Sequence, residues 1–195
     1  TPIYITIQER NQLFEADLSA RPRLAVQRDI FVFQSVVGCR VGDLYKLTRK
    51  NLVNGVLEYV QEKTRSHNPR TIRVPLNGVA KTILEHYKDY DGDTLLPFIS
   101  EQKYNQAIKE AFKLAGLDRI VTVLNPLTRE SEQKYLYEVA TTHMARKTFI
   151  GNMYKKVKDP DLVSSVSGHK EGSKAFRRYR EIDDEMKQEL VHLLD

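Results

Sequence analysis

Apolar positions along the first fifty residues recur at helical spacing, punctuated by residues that start and stop helices. Thr6 with Glu9 three residues later forms a capping-box pattern, which predicts a helix to about Leu18. Pro22 stands where a helix start tolerates proline, and Leu24, Ile30, Phe31, Phe33, Val36 and Val37 fill the helix that follows. Gly38 predicts its stop, and helix formers resume after Cys39-Arg40 to about Leu47. The period then changes. Val56, Leu57, Tyr59 and Val60 predict one strand and Thr71 to Leu76 a second, with the polar stretch KTRSHNPR as the turn of a β-hairpin. Helices are predicted at about 77–89 and 102–115, with Gly116 as a second stop. Residues 119–140 are ambiguous: Asn125-Pro126 breaks any helix, and Tyr135–Val139 reads as a returning strand. A helix over about 142–156 and short ones at 160–167 and 173–180 follow. In the last, 183–194, Met186, Leu190, Leu193 and Leu194 form an amphipathic stripe. The predicted class is mainly α, with a small antiparallel β-sheet near the N-terminal part.

A chain of 195 residues with 41% hydrophobic and 29% charged residues has the balance of a globular domain and argues against disorder. No apolar run approaches the ~18 residues of a membrane span. The first residues, TPIYITIQER, carry neither the basic start nor the apolar stretch of a signal peptide, and the missing initiator Met suggests a fragment or a processed chain. One cysteine, Cys39, cannot form an internal disulfide, and five scattered His with one Cys give no zinc spacing. The net charge of +5 suits a polyanionic partner without requiring one. Its distribution says more: residues 168–180 hold five Lys/Arg against one Glu, and residues 183–195 hold one Lys against five Asp/Glu. A basic segment is followed directly by an acidic one.

Four places carry residues suited to chemistry on an anion. In Gly38-Cys39-Arg40-Val41-Gly42-Asp43-Leu44, Arg40 follows an apolar run at a chain turn, where a half-buried guanidinium needs an anion; Asp43 either orients it or simply pairs with it. Lys63, at the hairpin edge beside Thr64 and Arg65, is either a solvated turn lysine or an ammonium reaching a ligand. His143 and Arg146 share a face at the positive start of a helix, as phosphate donors or as a chance surface pair. Ser167-Gly168-His169 ends a helix ten residues before Tyr179, which lies within Phe176-Arg177-Arg178-Tyr179-Arg180. That tyrosine reads as a phosphate contact, a packed aromatic or a nucleophile, and ten tyrosines compete for the last role.

Taken together, Arg, Lys, His-x-x-Arg, Gly-His and Tyr occur in an order and spacing that closely resemble the tyrosine recombinases, the phage-integrase family. The likeness runs from about Arg28 to Ile182. GCRVGDL resembles the family's first arginine box, HMARKTF its second, SGHKEGSKAFRRYREI the stretch with its second histidine and nucleophile, and Lys63 its hairpin lysine. Three departures stand out: Lys147 occupies a place where the family often has His, the Gly-His to Tyr interval is about one residue longer, and 119–140 resembles a longer hairpin or insertion. The resemblance implies the recombinase catalytic-domain fold over 1–182. It also implies a C-terminal helix at 183–195 that is docked on its own domain or exchanged with a neighbouring protomer, and an N-terminal DNA-clamping domain absent from this stretch.

It implies a site of Arg40, Lys63, His143, Arg146, His169 and Tyr179, supported by Asp43, with Thr64, Arg65, Lys147, Arg177 and Arg178 as DNA contacts. The implied reaction is cleavage and rejoining of DNA through a 3′-phosphotyrosine, with no cofactor and no metal, serving integration or excision of a mobile element. The implied partners are double-stranded DNA at a specific site and a homo-tetramer on two duplexes, with room for a free monomer and for accessory DNA-bending proteins, in a bacterial cytoplasm at the nucleoid. The alternatives are relaxation of DNA in the manner of a type IB topoisomerase, and a non-catalytic DNA-binding accessory protein.

Overall fold

Leucine, valine and phenylalanine cover nearly every side of the second helix, so it must run through the middle of the protein rather than across its surface. The computed structural model describes residues 2–64, 66–157, 159–169, 179 and 184–195, and it places this helix, α2 (Pro22–Val37), at the centre. Helix α1 (Ile7–Glu15) leads into it. The Thr6 hydroxyl accepts from Glu9 N–H and the Glu9 carboxylate accepts from Thr6 N–H, both at 3.0 Å, so both halves of the predicted capping box form. The helix stops three residues short of Leu18. Arg28 donates to the carbonyls of Leu13 and Ala16 at 2.9 and 2.8 Å, satisfying its C-terminal acceptors, and Asp17 turns the chain by accepting from Ser19 N–H.

After α2 stops at Gly38, helix α3 is only Val41–Leu44. The following bonds, Lys46 N–H to Asp43 and Leu47 N–H to Leu44, tighten the chain so that Leu44 and Leu47 are both buried. The predicted hairpin is present as β2 (Val56–Val60) and β3 (Thr71–Pro75), paired antiparallel with Leu57 opposite Val74 and Tyr59 opposite Ile72. These four face the core, while Glu58 and Arg73 pair on the other face at 2.9 Å. A short strand, β1 (Leu52–Val53), extends the sheet through the tight turn Asn54-Gly55 and was not predicted.

Helices α4 (Gly78–His86) and α5 (Glu101–Leu114) both pack against α2. Of the expectations for 119–140, the longer hairpin is present and the returning strand at 135–139 is corrected. The early hairpin is not alone: β4 (Ile120–Leu124) and β5 (Ser131–Tyr135) form a second, two-stranded sheet whose turn is closed by Asn125 accepting from Leu127 and Thr128 N–H. Tyr135–Val139 is not a strand beyond its first residue. Leu136 is fully buried, and Glu138 caps Tyr135 N–H at 3.0 Å, so Leu136–Val139 forms the short helix α6.

Helix α7 (Thr142–Val157) packs along α2, and α8 (Pro160–Ser167) packs on α7 and β3. One large apolar core surrounds α2. A smaller cluster of Phe149, Ile150, Tyr154 and Val163 lies between α7 and α8, with Met153, Val166 and Tyr179 against it. The predicted helix at 173–180 lies outside the described residues except at Tyr179. The C-terminal helix spans Asp184–His192 and leaves Leu190, Leu193 and Leu194 exposed. Among the described residues no helix is long and apolar enough to cross a membrane.

Candidate active site

A buried glutamine organises the floor of the site. The Gln34 side chain accepts from Tyr104 Oη at 2.9 Å and Thr142 Oγ1 at 2.8 Å, and donates to the Cys39 carbonyl at 3.0 Å. One amide thus ties α5, the start of α7 and the turn before Arg40 together. Asn105 accepts from Thr142 N–H at 2.8 Å and fixes the same helix end. Cys39, between these groups, is fully buried and its thiol is pushed up to about 12 by desolvation, which suits packing and not nucleophilic chemistry.

On this floor Arg146 is 2% exposed and donates from Nη1 to the Gly38 carbonyl at 2.8 Å. Arg40 stands half-buried at the head of α3. Burial, followed by the positive charge of Arg40, lowers Arg146 to about 10, so it stays charged at neutral pH. Among the described residues neither guanidinium forms an ion pair with a carboxylate. Two close, partly desolvated cations without a counter-charge make a site for an anion. Asp43 does not supply that charge: its carboxylate accepts from Glu62 N–H at 3.0 Å and so ties the hairpin end before Lys63 to α3.

His169 completes the pocket. Its Nδ1 lies 3.0 Å from Ser167 Oγ and 3.4 Å from Arg146 Nη2. A guanidinium only donates, so Nδ1 is the acceptor and the proton sits on Nε2. Burial, then the charges of Arg146, Arg40, Lys63 and His143, push His169 down to about 3. It is therefore a neutral donor through Nε2–H at physiological pH. The turn that carries it is held from outside. Arg70 donates to the carbonyls of His169 at 2.9 Å and Ser164 at 3.4 Å, and Ser164 Oγ also bonds the His169 carbonyl. Gly168, with φ of 74°, is packed so closely by Gln61 that a Cβ would lie 1.9 Å from its amide nitrogen. His143, at the exposed start of α7, is also lowered, by burial first and then by Lys147, Arg146 and Arg40.

The same influences locate the remaining groups. Lys63 is exposed on the turn Glu62–Thr64, close enough for its charge to act on His169. Tyr179 is half-buried at a turn, rests on the cluster between α7 and α8, and acts electrostatically on Arg146. Arg40, Lys63, His143, Arg146, His169 and Tyr179 are thus brought together. Lys147 lies beside His143. Thr64 has a hydroxyl already engaged, donating to the Gln61 carbonyl and accepting from Arg70 N–H, each at 3.2 Å. Arg65, Arg177 and Arg178 lie outside the described residues. Gln34, Arg70, Ser164 and Ser167 were not singled out in the sequence; only the SGH triplet hinted at the last. Among the described residues no three His, Cys, Asp or Glu side chains converge as a metal site requires.

A pH dependence follows. The folded pKa of His169 lies below its unfolded value of about 6.5. Below that pH the unfolded chain takes a proton that the folded one refuses, so stability is full above about 6.5 and falls progressively as pH drops toward 3. Thermal melts of wild type and His169→Gln between pH 7.5 and 4 should converge as the wild type loses its advantage; parallel curves would show that His169 is not held neutral.

In comparisons with known proteins, the phage integrase family matches residues 4–186. No curated protein sequence matches the chain. Among solved structures, XerA recombinase is similar with a TM-score of 0.64 at 20% identity, over 99% of this chain and 65% of that one. A lambda integrase gives 0.65 at 21%, over 94% and 64%, and the Tn1549 transposon integrase 0.67 at 14%, over 100% and 68%. The chain spans about half to two thirds of the length of most of these structures. The fold is that of tyrosine recombinase catalytic domains, and by the family match over almost its whole length the chain belongs to the phage integrase family.

Proposed function

We propose that this chain is the catalytic part of a site-specific DNA recombinase that cuts and rejoins strands through a phosphotyrosine at Tyr179. The observation that carries the reading is the pair Arg40 and Arg146, without carboxylate partners among the described residues, beside the neutral donor His169 and within electrostatic reach of Tyr179 and Lys63. A phosphodiester is the anion that such a cradle fits. The Tyr179 oxygen attacks phosphorus, the bond to the 5′-oxygen breaks, and the 3′-phosphate stays on the protein. His143, kept neutral by its surroundings, takes the phenol proton. Lys63 gives a proton to the departing 5′-oxygen. The arginines and His169 Nε2–H hold the non-bridging oxygens, where charge builds in the transition state. Attack by another strand's 5′-hydroxyl reverses each step, so the phosphoester bond is conserved and no energy source is consumed.

Related structures support DNA as the substrate and a tetramer as the working form. XerH recombinase is bound to a palindromic difH substrate, lambda integrase forms a tetramer bound to a Holliday junction, and the Tn1549 integrase is in complex with circular intermediate DNA. The carried-over role is integration or excision of a mobile element. The test is a nicked suicide duplex incubated with the protein, with the adduct run on a denaturing gel and the linked residue mapped by mass spectrometry. An adduct at Tyr179 supports the reading; specific binding without any adduct would leave an accessory DNA-binding protein.

The C-terminal helix belongs to the same proposal. Leu193 and Leu194, just past the helix, are 81% and 87% exposed, and Leu190 is also on the surface, so the described end of the chain presents apolar side chains to solvent. A neighbouring protomer would cover them. Removing residues 183–195 should leave single-site DNA binding near wild type and weaken DNA-dependent assembly by about tenfold or more, measured by mass photometry on target duplexes. Unchanged assembly would place the helix on its own domain.

A further inference from the structure

The N-terminal segment is fastened along α7 by its backbone. Ile5 N–H donates to Thr148 Oγ1 at 3.3 Å, and Asn152 Nδ2 donates to the Ile5 carbonyl at 2.9 Å. Arg119 donates to the Tyr4 carbonyl at 2.9 Å. Three bonds, two from α7 and one from Arg119 just before β4, therefore fix the Tyr4 carbonyl and the backbone of Ile5 that follows it. That side chain is fixed as well. Its ring lies on the bare backbone of Gly151, where a Cβ would stand 2.4 Å from Tyr4 Cζ, and the Lys155 ammonium sits 5.3 Å from the ring centroid on the same helix.

The same ring meets Tyr179. The two centroids are 6.4 Å apart with the planes tilted by 46°, inside the range of favourable aromatic contact. Tyr179 stands at a turn and is half-buried, with Phe149, Ile150, Tyr154 and Val163 forming the apolar cluster it packs against. A phenol at a turn has rotational freedom that must be lost before its oxygen can meet a phosphorus atom in line. A wall that is already immobile removes part of that freedom in advance.

We propose that Tyr4 is a positioning residue for the nucleophile: its ring, seated on Gly151, sets the orientation of the Tyr179 ring beside Arg146. The inference rests on the reading of Tyr179 as nucleophile. Tyr4 acts through ring contact, so its hydroxyl is dispensable, and a methyl at Gly151 should act like loss of the ring by lifting Tyr4 off its seat.

The experiment measures single-turnover cleavage of a saturating nicked duplex by wild type, Tyr4→Phe, Tyr4→Ala and Gly151→Ala. DNA affinity is measured in parallel. The same proteins carrying 3-fluorotyrosine give a Tyr179 fluorine resonance, assigned by its loss in Tyr179→Phe. Tyr4→Phe should cleave at the wild-type rate. Tyr4→Ala and Gly151→Ala should bind DNA as wild type, cleave about 10–100-fold more slowly, and shift the Tyr179 resonance. If Tyr4→Ala fails to fold, Gly151→Ala carries the test, since it changes neither tyrosine. A wild-type rate in the alanine variants, with an adduct still mapped to Tyr179, overturns the positioning role alone. Absence of any adduct at Tyr179 in wild type overturns the nucleophile and the positioning role together, even if the fluorine shift confirms that the rings touch.

Discussion

Tyr179→Phe should abolish covalent capture of DNA while leaving DNA binding at the wild-type level. The change removes one oxygen and keeps the ring that packs on Phe149, Ile150 and Tyr154 and against Tyr4, so the surroundings have no reason to collapse. The other proposed catalytic residues cannot replace the oxygen, because they are nitrogen groups: two guanidiniums, two imidazoles and an ammonium. Losing a nucleophile while the transition-state donors remain typically costs on the order of 10⁴-fold or more. Two buried tyrosines of the site floor are poor substitutes. Tyr59 and Tyr104 have phenols raised well above the ordinary value by desolvation, which opposes the phenolate that attack requires. The measurement is adduct formation on a nicked suicide duplex by wild type and variant at saturating DNA. An adduct from Tyr179→Phe would move the nucleophile to another of the ten tyrosines.

The sequence was most legible where the determinant is local. The Thr6–Glu9 capping box, the proline start and glycine stop of α2, and the strands at 56–60 and 71–75 depend on neighbours a few residues away, and all appear where expected. The short strand β1 was within reach: Asn54 and Gly55, with φ of 50° and 77°, make the tight hairpin turn that this dipeptide favours. The second hairpin matches the longer hairpin that the family resemblance implies for 119–140; the local pattern alone leaves it ambiguous, because Asn125-Pro126 breaks a helix as readily as Asn125 closes the turn between two strands. Residues 136–139 were misread because a fully buried Leu136, a tertiary demand, outweighed local strand propensity.

The candidate site divides in the same way. Arg40, Lys63, His143, Arg146, His169 and Tyr179 could be named because their residue types and order resemble a family pattern. What holds them could not. Gln34 bonds Tyr104 and Thr142, 70 and 108 positions away, and Arg70 bonds the His169 carbonyl from 99 positions away. Such partners leave no periodicity in the chain. Asp43 shows the opposite error: its spacing from Arg40 suggested a pair, but the carboxylate serves the Glu62 backbone instead.

The engagement of Asp43 with the Glu62 backbone bears on the second large effect, expected at Arg146. Arg146→Lys should lower cleavage at saturating DNA by about 10²–10³-fold, the typical cost of one preorganised transition-state donor. Charge is nearly conserved in this change, but geometry is not. The guanidinium spends one N–H on the Gly38 carbonyl and another toward His169 Nδ1, and its planar fork still presents further N–H groups to a phosphate. An ammonium offers three donors from a single point and cannot span those directions. Stability should not follow activity downward. Arg146 is a buried cation beside Arg40 with no carboxylate partner among the described residues, so the DNA-free fold gains little from its charge. Arg146→Met should therefore melt close to wild type while failing to cleave. His169 should report the loss, because Arg146 is the largest charge acting on it, and its pKa should climb from about 3 toward the ordinary histidine value. Proton NMR titration of the His169 ring in Arg146→Met reads this directly. Cleavage by Arg146→Lys within a few-fold of wild type, or a His169 titration that does not move, would mean that Arg146 is packing rather than the phosphate-holding centre of the site.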